Sequence, residues 1–292
     1  MLHYKPVINN ILFNDYQIGV LRLDLIHPEI SGNKWFKLKY NLQEAKYQKK
    51  DIILTFGGAF SNHIAATAYA CNVFGFKSIG IIRGENSAAS NPTLLFSKKN
   101  GMELQFVSRE TYKLKHEISY LQSLYSLYPN AYIIPEGGDN ALGQKGCQDI
   151  LTSETDIFST IFCAYGTGST YKGISKSLLQ SQQLLAVNVL KFEAVSNHPK
   201  TQILNQYHFG GYAKHTQELL DFKYWFENTY TIPLDYVYTS KLFFAAFDLM
   251  KKNLLPKNEP LLIIHCGGLQ GNIGYEKRYN LNPNRNEMDA HG

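Results

Sequence analysis

The sequence predicts an α/β fold made of two open, twisted parallel sheets with helices on both faces. Short apolar segments typical of buried strands alternate along the chain with longer segments whose apolar residues recur at helical spacing. Glycine-rich turns follow several strands, as in folds that bind ligands beyond the carboxyl ends of parallel strands. The 292 residues are 44% hydrophobic and 18% charged, which is typical of a globular protein with a large core.

The predicted elements of the first half alternate regularly. Alternating apolar residues indicate the first strand, a helix with one apolar face follows it, and the later strands are short and apolar. Ser61 or Asn62 is typical of a residue that caps a helix, here one that ends at Ala70. In order, the elements are strand 19–25, helix 34–47, strand 51–55, helix 62–70, strand 78–83, helix 91–100, strand 103–107, helix 110–128 and strand 132–135.

The second half continues the same alternation. Its elements are helix 141–152, strand 159–164, helix 169–180, strand 184–189, helix 216–230, helix 240–251 and strand 261–264. Strands separated by helices favour parallel pairing, because each connection has to cross back over the sheet. The glycine-rich loops that follow these strands are therefore the places where a ligand is expected.

Composition excludes several classes of protein. The net charge of +5 comes from 29 basic and 24 acidic residues that are scattered along the chain, which argues against a nucleic-acid partner. No segment reaches the about 18 apolar residues of a membrane span, and the amino end lacks the apolar stretch of a signal peptide. The four cysteines form no Cys-x-x-Cys pair, so neither a zinc site nor a disulfide framework is predicted. We expect a cytoplasmic protein.

The loop from Ala164 to Thr170 follows an apolar strand and opens a helix. Its glycines and hydroxyls suit an anion such as a phosphate at the positive end of that helix. The Walker pattern is missing, and Tyr171 stands where a dinucleotide-binding loop has its third glycine. A plain strand-to-helix turn with capping hydroxyls is the alternative interpretation.

Three other loops offer reactive or binding groups. Lys34 follows a Ser-Gly turn at the start of a helix, where the positive helix end and partial burial favour a free amine that can form imines. For a lone lysine, a surface side chain with a buried aliphatic stem is the more common explanation. The run from Gly57 to His63 suits a carboxylate, although a simple helix cap is its default interpretation. Glycine pairs also follow the strands 132–135 and 261–264, which predicts a crevice lined by backbone amides.

Five motifs follow one another along the chain and together identify a family. They are Ser-Gly-Asn-Lys at 31–34, Gly-Gly-x-x-Ser-Asn-His at 57–63, Gly-Thr-Gly-Ser-Thr at 166–170, Val-Tyr-Thr-x-Lys at 237–241 and His-x-Gly-Gly at 265–268. In this order they resemble the 1-aminocyclopropane-1-carboxylate deaminase and D-cysteine desulfhydrase family of pyridoxal-phosphate enzymes, over almost the whole chain. The resemblance implies a fold-type-II enzyme, a homodimer, with pyridoxal 5'-phosphate as its cofactor. It also implies a small domain (38–128) inserted in a larger, cofactor-binding one (1–37 and 129–292).

The resemblance assigns roles to residues in the predicted loops. Lys34 would form the Schiff base with the cofactor, and Asn62 would bond the phenolic oxygen of the cofactor. Ser61, Asn62 and His63 would surround the substrate carboxylate, and Ser61 is also a candidate for proton transfer. The residues expected around the cofactor phosphate are Gly166, Thr167, Gly168, Ser169 and Thr170.

The remaining site residues bear on the choice of reaction. Tyr212 and Tyr238 correspond to the two active-site tyrosines of the family, and each is expected to be catalytic. In the deaminases a glutamate follows the second tyrosine and faces the pyridine nitrogen, whereas here the residue is Thr239, as in the desulfhydrases. Cys266 replaces a usual threonine, so either Thr239 or Cys266 is expected to face the nitrogen. A neutral group there makes the opening of a cyclopropane harder than the loss of a thiol.

These observations predict a lyase that acts on a small, cysteine-like amino acid. The expected reaction is β-elimination, which releases a 2-oxo acid, ammonia and sulfide. Deamination of 1-aminocyclopropane-1-carboxylate is the alternative reaction, and a catalytically inactive pyridoxal-phosphate-binding protein is the alternative from another class. A nucleotide-binding oxidoreductase is remote, because the glycine fingerprint is incomplete.

Overall fold

Two β-sheets organise the chain. The computed structural model describes residues 2–84, 91–196 and 198–281, and within these ranges ten strands form one sheet of six and one of four. The large sheet contains β1 (Ile8–Phe13), β2 (Tyr16–Arg22), β7 (Thr160–Tyr165), β8 (Gln183–Asn188), β9 (Thr201–Leu204) and β10 (Leu261–His265). The small sheet contains β3 (Ile52–Gly58), β4 (Lys77–Arg83), β5 (Met102–Val107) and β6 (Ala131–Ile134).

The strands of both sheets are parallel, apart from one hairpin. The large sheet has the order β1-β2-β10-β7-β8-β9, in which β1 and β2 pair antiparallel and every later pair is parallel. The small sheet has the order β5-β4-β3-β6, and all of its pairs are parallel. The prediction of two parallel sheets is thus confirmed, with an antiparallel edge added to the large one.

Helices cover the faces of the sheets. Those in the described ranges are α1 (Asn33–Tyr47), α2 (Asn62–Phe74), α3 (Pro92–Lys99), α4 (Arg109–Lys113), α5 (Ile118–Leu127), α6 (Ala141–Gln148), α7 (Ser169–Ser175), α8 (Gln217–Tyr230), α9 (Thr239–Lys251) and α10 (Asn272–Tyr279). Ser61 is the N-cap of α2, and its hydroxyl accepts a hydrogen bond from the Ile64 amide at 3.3 Å. Within the part of the chain that is described, no helix is both long and apolar enough to cross a membrane.

The large sheet lies between two apolar layers. On one face α8 and α9 pack aromatic side chains against the strands, and Phe226, Phe243 and Phe247 are buried there. On the other face Phe36 from α1 and Ile174 from α7 cover the alternate side chains of the same strands. Burying each of these large side chains contributes on the order of 2–3 kcal/mol. Aromatic residues, which make up 13% of the sequence, therefore contribute to the packing of this sheet.

The small sheet is built from one continuous stretch of chain. Its strands fall between residues 52 and 134, and α1 and α6 connect this stretch to the large sheet. Because β6 pairs with β3, residues 131–134 belong to the small sheet. The division into domains 1–37 with 129–292 and 38–128 stays a prediction.

Several predicted elements differ from the structure. The single helix expected at 110–128 is wrong, because a short 3-10 turn at Leu114–His116 and an extended Glu117 separate α4 from α5. The helices expected at 141–152 and 169–180 end earlier, at Gln148 and Ser175. The strand expected at 19–25 ends at Arg22, and a 3-10 turn follows it.

Three elements have no counterpart in the predictions: β1, β9 and α10. β1 is an edge strand that carries two exposed asparagines, so its apolar pattern is weak. The Asn14-Asp15 pair between β1 and β2 is nevertheless a sequence signal for a turn. In the structure both residues adopt positive φ, at 46° and 68°. Two such residues form the tight turn that suits a β-hairpin.

Candidate active site

A cavity of about 610 Å³ is lined by loops from both sheets. The small sheet contributes the loops that follow β3 and β6, and the large sheet contributes those that follow β7, β8 and β10. The first turn of α1 also belongs to the wall. All of these loops lie at carboxyl ends of parallel strands, which is the expected position, and the volume suits a small molecule.

Lys34 extends into this cavity from the first turn of α1. Its Nζ donates a hydrogen bond to Oδ1 of Asn33 at 2.5 Å, and Nδ2 of Asn33 donates to Oγ1 of Thr170 at 2.9 Å. Burial, together with the charge of nearby Lys37, lowers the pKa of Lys34 from 10.5 to about 8. A useful fraction of the side chain is therefore a free, nucleophilic amine close to neutral pH.

Gly32 allows the backbone to enter α1 at this point. Its φ is +68°, and a Cβ atom there would lie 1.9 Å from the carbonyl oxygen of Cys266. The same carbonyl accepts a hydrogen bond from the amide of Asn33 at 3.2 Å. The Ser-Gly turn is thus packed backbone to backbone against the loop after β10, which fixes the start of α1 relative to the large sheet.

Lys37 is a cavity residue that the sequence analysis missed. It lies one turn after Lys34 and is only 6% exposed, and no acceptor in the described ranges lies within hydrogen-bonding distance of its ammonium. Its Cβ is close to Gly138 in the loop after β6, where an added Cβ atom would be 2.9 Å away. A signal was available in the sequence, because residues three apart on a helix share a face. An unpartnered buried cation of this kind suits an anionic ligand.

The loop after β3 offers two groups to a ligand. The acceptor side of the Ser61 hydroxyl is used in capping α2, which leaves its hydrogen available to the cavity. Oδ1 of Asn62 is buried and has no hydrogen-bond partner among the described residues. Because a buried polar atom without a partner is costly, Asn62 is suited to bind a polar group of a ligand.

His63 presents a neutral imidazole to the same cavity. Its Nε2 lies 2.9 Å from Oγ1 of Thr55, and that hydroxyl donates to the carbonyl of Ile134 at 2.8 Å. Nε2 must therefore carry the hydrogen, and Nδ1 is an acceptor that is buried and without a partner in the described ranges. Burial and the two lysines, Lys34 and Lys37, lower the pKa of His63 to about 3.

The predicted phosphate loop forms one side of the cavity. Gly166, Thr167, Gly168 and Thr170 belong to the wall. Gly168 has a φ of +89°, and the Thr167 side chain packs against Gly137 from the loop after β6. Ser169 differs from the prediction: its side chain is fully buried outside the wall, and its hydroxyl donates to the carbonyl of Gly138 at 3.2 Å.

Both predicted tyrosines reach the cavity. The rings of Tyr212 and Tyr238 meet edge to face with their centroids 6.2 Å apart. Tyr212 is 46% exposed at the mouth, whereas Tyr238 packs against Gly166 deeper inside. Burial raises the pKa of Tyr238 well above 10, and Tyr212 and Asp235 add to that effect. Tyr238 is therefore a protonated phenol that can donate a hydrogen bond.

Of the two residues expected at the pyridine nitrogen, Cys266 lines the cavity and Thr239 does not. The Thr239 hydroxyl is fully buried and donates to the Asp235 carboxylate at 2.8 Å. Burial, with a contribution from Asp235, raises the pKa of the Cys266 thiol to about 12, so this side chain is neutral.

The mouth of the cavity is rich in positive charge. Arg83, Arg109, Lys214 and Arg278 contribute to its wall, and Glu136 is the carboxylate among the described lining residues. Together with Lys34 and Lys37 these side chains give the cleft an excess of cations. Such a cleft attracts anions such as phosphates and carboxylates.

Comparison with known proteins identifies the family. The chain is 30% identical over 304 residues to a Pyrococcus furiosus protein described as a candidate 1-aminocyclopropane-1-carboxylate deaminase, and the match covers 94% of this chain and 91% of the relative. The chain belongs to the 1-aminocyclopropane-1-carboxylate deaminase and D-cysteine desulfhydrase family. The chain is also 29% identical to an Arabidopsis thaliana protein, a mitochondrial bifunctional D-cysteine desulfhydrase/1-aminocyclopropane-1-carboxylate deaminase. That match covers 88% of this chain and 74% of the relative.

A solved structure has the same fold as this chain. An ACC deaminase homologue superposes with a TM-score of 0.82 at 26% sequence identity, and the match covers 96% of this chain and 95% of the other. No family model matches the chain. The identity and the superposition extend over nearly the whole length of the chain.

The residues of the cavity fit the cofactor that the family resemblance implies. An aldehyde would meet the amine of Lys34, and the Asn62 side chain in the same wall would offer the hydrogens of its Nδ2 to the phenolic oxygen of the ring. A phosphate would find the loop from Gly166 to Thr170 and the unpartnered ammonium of Lys37. Three independent features of the wall thus match an aldehyde, a polar ring and a phosphate in one molecule.

Proposed function

We propose that the protein is a pyridoxal-phosphate-dependent lyase that removes a β-substituent such as hydrosulfide from a small, cysteine-like amino acid. The products would be a 2-oxo acid, ammonia and sulfide. The observation that carries this proposal is the Lys34 amine, which lies in a cavity shared with the phosphate loop and has a pKa lowered by burial to about 8. Membership of the family supports the same chemistry.

Lys34 is the residue placed to move a proton. Pyridoxal phosphate, when bound, supplies an electron sink for the carbanion that remains after loss of the α-proton. With a pKa of about 8, the Lys34 amine can accept that proton near neutral pH and can return it later. Asn33 holds the amine at 2.5 Å and so limits where it can reach.

The start of α2 orients the substrate. The hydrogen of the Ser61 hydroxyl and the amides at the start of this 13-residue helix suit the α-carboxylate of an amino acid. Nδ1 of His63 is an acceptor and cannot donate to that carboxylate, so we assign it to the amino group or to a water molecule. The main contribution of Ser61 and His63 is to orient the substrate so that its α-proton lies near Lys34.

The neutral wall beside Cys266 supports elimination over ring opening. The thiol is protonated and Thr239 is turned to Asp235, so neither supplies a negative charge toward a bound ring. Without that charge the pyridine ring of the cofactor would be a weaker electron sink. A weaker sink still suffices for the loss of a good leaving group. One observation favours the second candidate, 1-aminocyclopropane-1-carboxylate deamination: both tyrosines of the family reach the cavity.

The first experiment tests the cofactor and its anchor together. The purified protein is incubated with pyridoxal phosphate, its visible spectrum is recorded, and it is reduced with borohydride before peptide mapping. We expect a yellow protein with the reduced label on Lys34, and a Lys34→Ala variant without label or turnover. Lys39→Ala is the matched control, because Lys39 is on the same helix but pairs with Asp149 at 2.5 Å. A protein that takes up no cofactor, or a Lys34→Ala variant with full turnover, contradicts the proposal.

The second experiment separates the candidate reactions. D-cysteine, L-cysteine and 1-aminocyclopropane-1-carboxylate are assayed side by side for 2-oxo acid and ammonia. Sulfide release from a cysteine supports elimination, whereas 2-oxobutanoate from the cyclopropane substrate supports deamination. A cofactor spectrum that responds to none of these amino acids points to an inactive binding protein.

The assembly and the location of the protein are part of the proposal. The resemblance supports a homodimer that acts on a small amino acid. The scattered charges and the lack of long apolar segments support a cytoplasmic protein without a nucleic-acid or membrane partner. Light scattering of the purified protein would give about twice the 33.2 kDa of one chain for a homodimer. Fractionation of the source cells would place the protein in the cytosolic fraction.

A further inference from the structure

Two buried charges lie beside the backbone that carries the active-site tyrosines. Asp235 and Lys241 are 1% and 0% exposed, and neither belongs to the wall of the cavity described above. Both side chains bind main-chain atoms of the segments that contain Tyr238 and Tyr212. We propose that Asp235 and Lys241 are positioning residues, which hold the backbone so that the two tyrosines reach the substrate.

Asp235 fixes the start of α9, where Tyr238 is located. One oxygen of its carboxylate accepts hydrogen bonds from the amides of Val237 and Tyr238, at 2.9 and 2.8 Å. The other oxygen accepts from the amide of Thr239 at 2.7 Å and from the Thr239 hydroxyl at 2.8 Å. Three successive amides thus converge on one buried carboxylate, and the direction in which the Tyr238 side chain leaves the backbone is set by them.

Lys241 fixes the loop that carries Tyr212. Its Nζ donates to the carbonyl of Gly211 at 2.6 Å and to that of His208 at 2.8 Å. The loop of these carbonyls contains four residues with positive φ: Phe209 at 49°, Gly210 at 87°, Gly211 at 105° and Ala213 at 53°. Two of them are not glycine, so this loop adopts a conformation that the chain alone disfavours. The buried ammonium therefore compensates for an unfavourable backbone and keeps Tyr212 at the mouth of the cavity.

The two positioning residues belong to one short segment. Asp235 precedes Tyr238 and Lys241 follows it, so residues 235–241 hold the backbone at both tyrosines: Asp235 at Tyr238 itself, and Lys241 at Gly211, next to Tyr212. The tyrosines also touch each other. A shift of either backbone would therefore disturb the other phenol.

Hydrogen exchange of the full-length protein tests the role of Lys241 without any assay of activity. In Lys241→Met we expect the amides of residues 209–214 to exchange about tenfold faster or more, because a hydrogen bond to a charged group is lost. Lys223→Met is the matched control: Lys223 is also buried, at 3% exposed, but pairs with Glu227 at 2.7 Å on α8. Unchanged exchange of residues 209–214 in Lys241→Met, or equal acceleration in Lys223→Met, overturns the inference.

A second variant covers the case in which Lys241→Met does not fold. Lys241→Gln keeps two donor hydrogens on a shorter side chain, so residues 209–214 are expected to exchange at an intermediate rate. If Lys241→Gln exchanges like the unsubstituted protein, the two hydrogen bonds of the ammonium do not hold this loop, and the assignment of Lys241 is overturned.

The role of Asp235 is tested in the same way at Val237, Tyr238 and Thr239. Their amides should exchange about tenfold faster or more in Asp235→Ala, and less so in Asp235→Asn, which keeps one acceptor oxygen. Asp235→Asn also carries the test if Asp235→Ala does not fold. Equal exchange at these amides in the unsubstituted and substituted proteins overturns this half of the inference.

The effect on catalysis rests on the proposed function and is measured with a double-variant cycle. If Lys241 acts through Tyr212, then Lys241→Met should lower kcat, and combining it with Tyr212→Phe should be no slower than Tyr212→Phe alone. Independent, multiplicative losses overturn the link to Tyr212. If no variant and no parent protein turns over any amino acid, the proposed function fails, whereas the exchange rates still decide the positioning roles.

Discussion

Asn33 and Thr170 are joined by a hydrogen bond of 2.9 Å although 137 residues separate them in the chain. Through its other amide atom Asn33 also accepts the hydrogen bond of the Lys34 amine. One amide side chain thus connects the reactive lysine to the loop expected to hold the phosphate. The distance between the two ends of the proposed cofactor site is set by this link.

The reactivity of Lys34 should depend on pH and on Lys37. With a pKa of about 8, half of the Lys34 amine is free at about pH 8, and the free fraction levels off only above about pH 9. We expect the rate of imine formation with pyridoxal, which lacks the phosphate, to follow that curve. In Lys37→Met the inflection should move to higher pH, because the charge of Lys37 contributes to the low pKa of Lys34.

The control for this prediction is Lys39→Met. It removes one positive charge from the same helix, at a residue outside the cavity wall. Its inflection should stay that of the parent protein. An unchanged inflection in Lys37→Met would contradict the electrostatic explanation.

His63 should remain neutral across the physiological pH range. Its pKa is lowered to about 3 by burial and by Lys34 and Lys37, so imidazolium should form only in strong acid. Nitrogen chemical shifts of labelled protein should show the Nε2-protonated tautomer from pH 5 to pH 8, with the resonance assigned by its loss in His63→Gln. Thr55→Val should disturb the tautomer, whereas Thr55→Ser keeps the hydroxyl and should not. A His63 signal that titrates near pH 6.5 would sink this assignment.

Gly32 should be far less replaceable than another glycine of the same conformation. Gly32→Ala brings a Cβ atom to 1.9 Å from the Cys266 carbonyl oxygen, which we expect to destabilise the fold by about 3 kcal/mol or more. Gly75 also has positive φ, at +78°, but an added Cβ would meet nothing within 4 Å. Gly75→Ala should therefore cost about 1 kcal/mol for the conformation alone. Urea unfolding of both variants measures the difference, and equal losses would refute the contact.

Asp24 should make the fold sensitive to acid. Burial by itself raises the pKa of Asp24, but hydrogen bonds from His265 and Arg22 lower this pKa to about 2. Because the folded pKa is below the ordinary value of 3.8, the stabilisation is complete above about pH 5 and is lost as the pH falls toward 2. The loss should be about 2 kcal/mol, measured by urea unfolding between pH 7 and pH 2.

Two variants identify the source of that acid sensitivity. Asp24→Asn should show a smaller decrease of unfolding free energy over the same pH range. Asp149→Asn is the control, since Asp149 has a side chain 44% exposed and pairs with Lys39 at the surface. An acid dependence that is the same in Asp24→Asn and in the parent protein would exclude Asp24 as its cause.

Local sequence patterns predicted the parts of the fold that depend on local physics. The short apolar strands and the glycine-rich loops after them gave the two sheets, and the loops with Lys34, Asn62 and Gly166 do line one cavity. These features follow from periodicity and from the conformational demands of turns. Edge strands such as β1 and β9 carry a weaker apolar pattern, which is why they escaped prediction.

The orientation of side chains could not be predicted from the sequence. Thr239 stands beside Tyr238 in the motif, yet its hydroxyl turns to Asp235, four residues earlier, because that carboxylate is buried among the same amides. Lys37 reaches the cavity because α1 enters the cleft with the face it shares with Lys34. Both facts depend on tertiary packing, which sequence spacing alone does not contain.

The position of β10 has a consequence for how the protein is made. This strand lies between β2 and β7 in the large sheet, although it is the last strand in the described part of the chain. The small sheet can assemble once residue 134 has been synthesised, whereas the hairpin of β1 and β2 has no place to dock until β10 emerges. A prematurely terminated chain would therefore leave two hydrophobic strand edges open, and such edges promote aggregation. Completion of the large sheet thus depends on the strand that is synthesised last among those of the sheet.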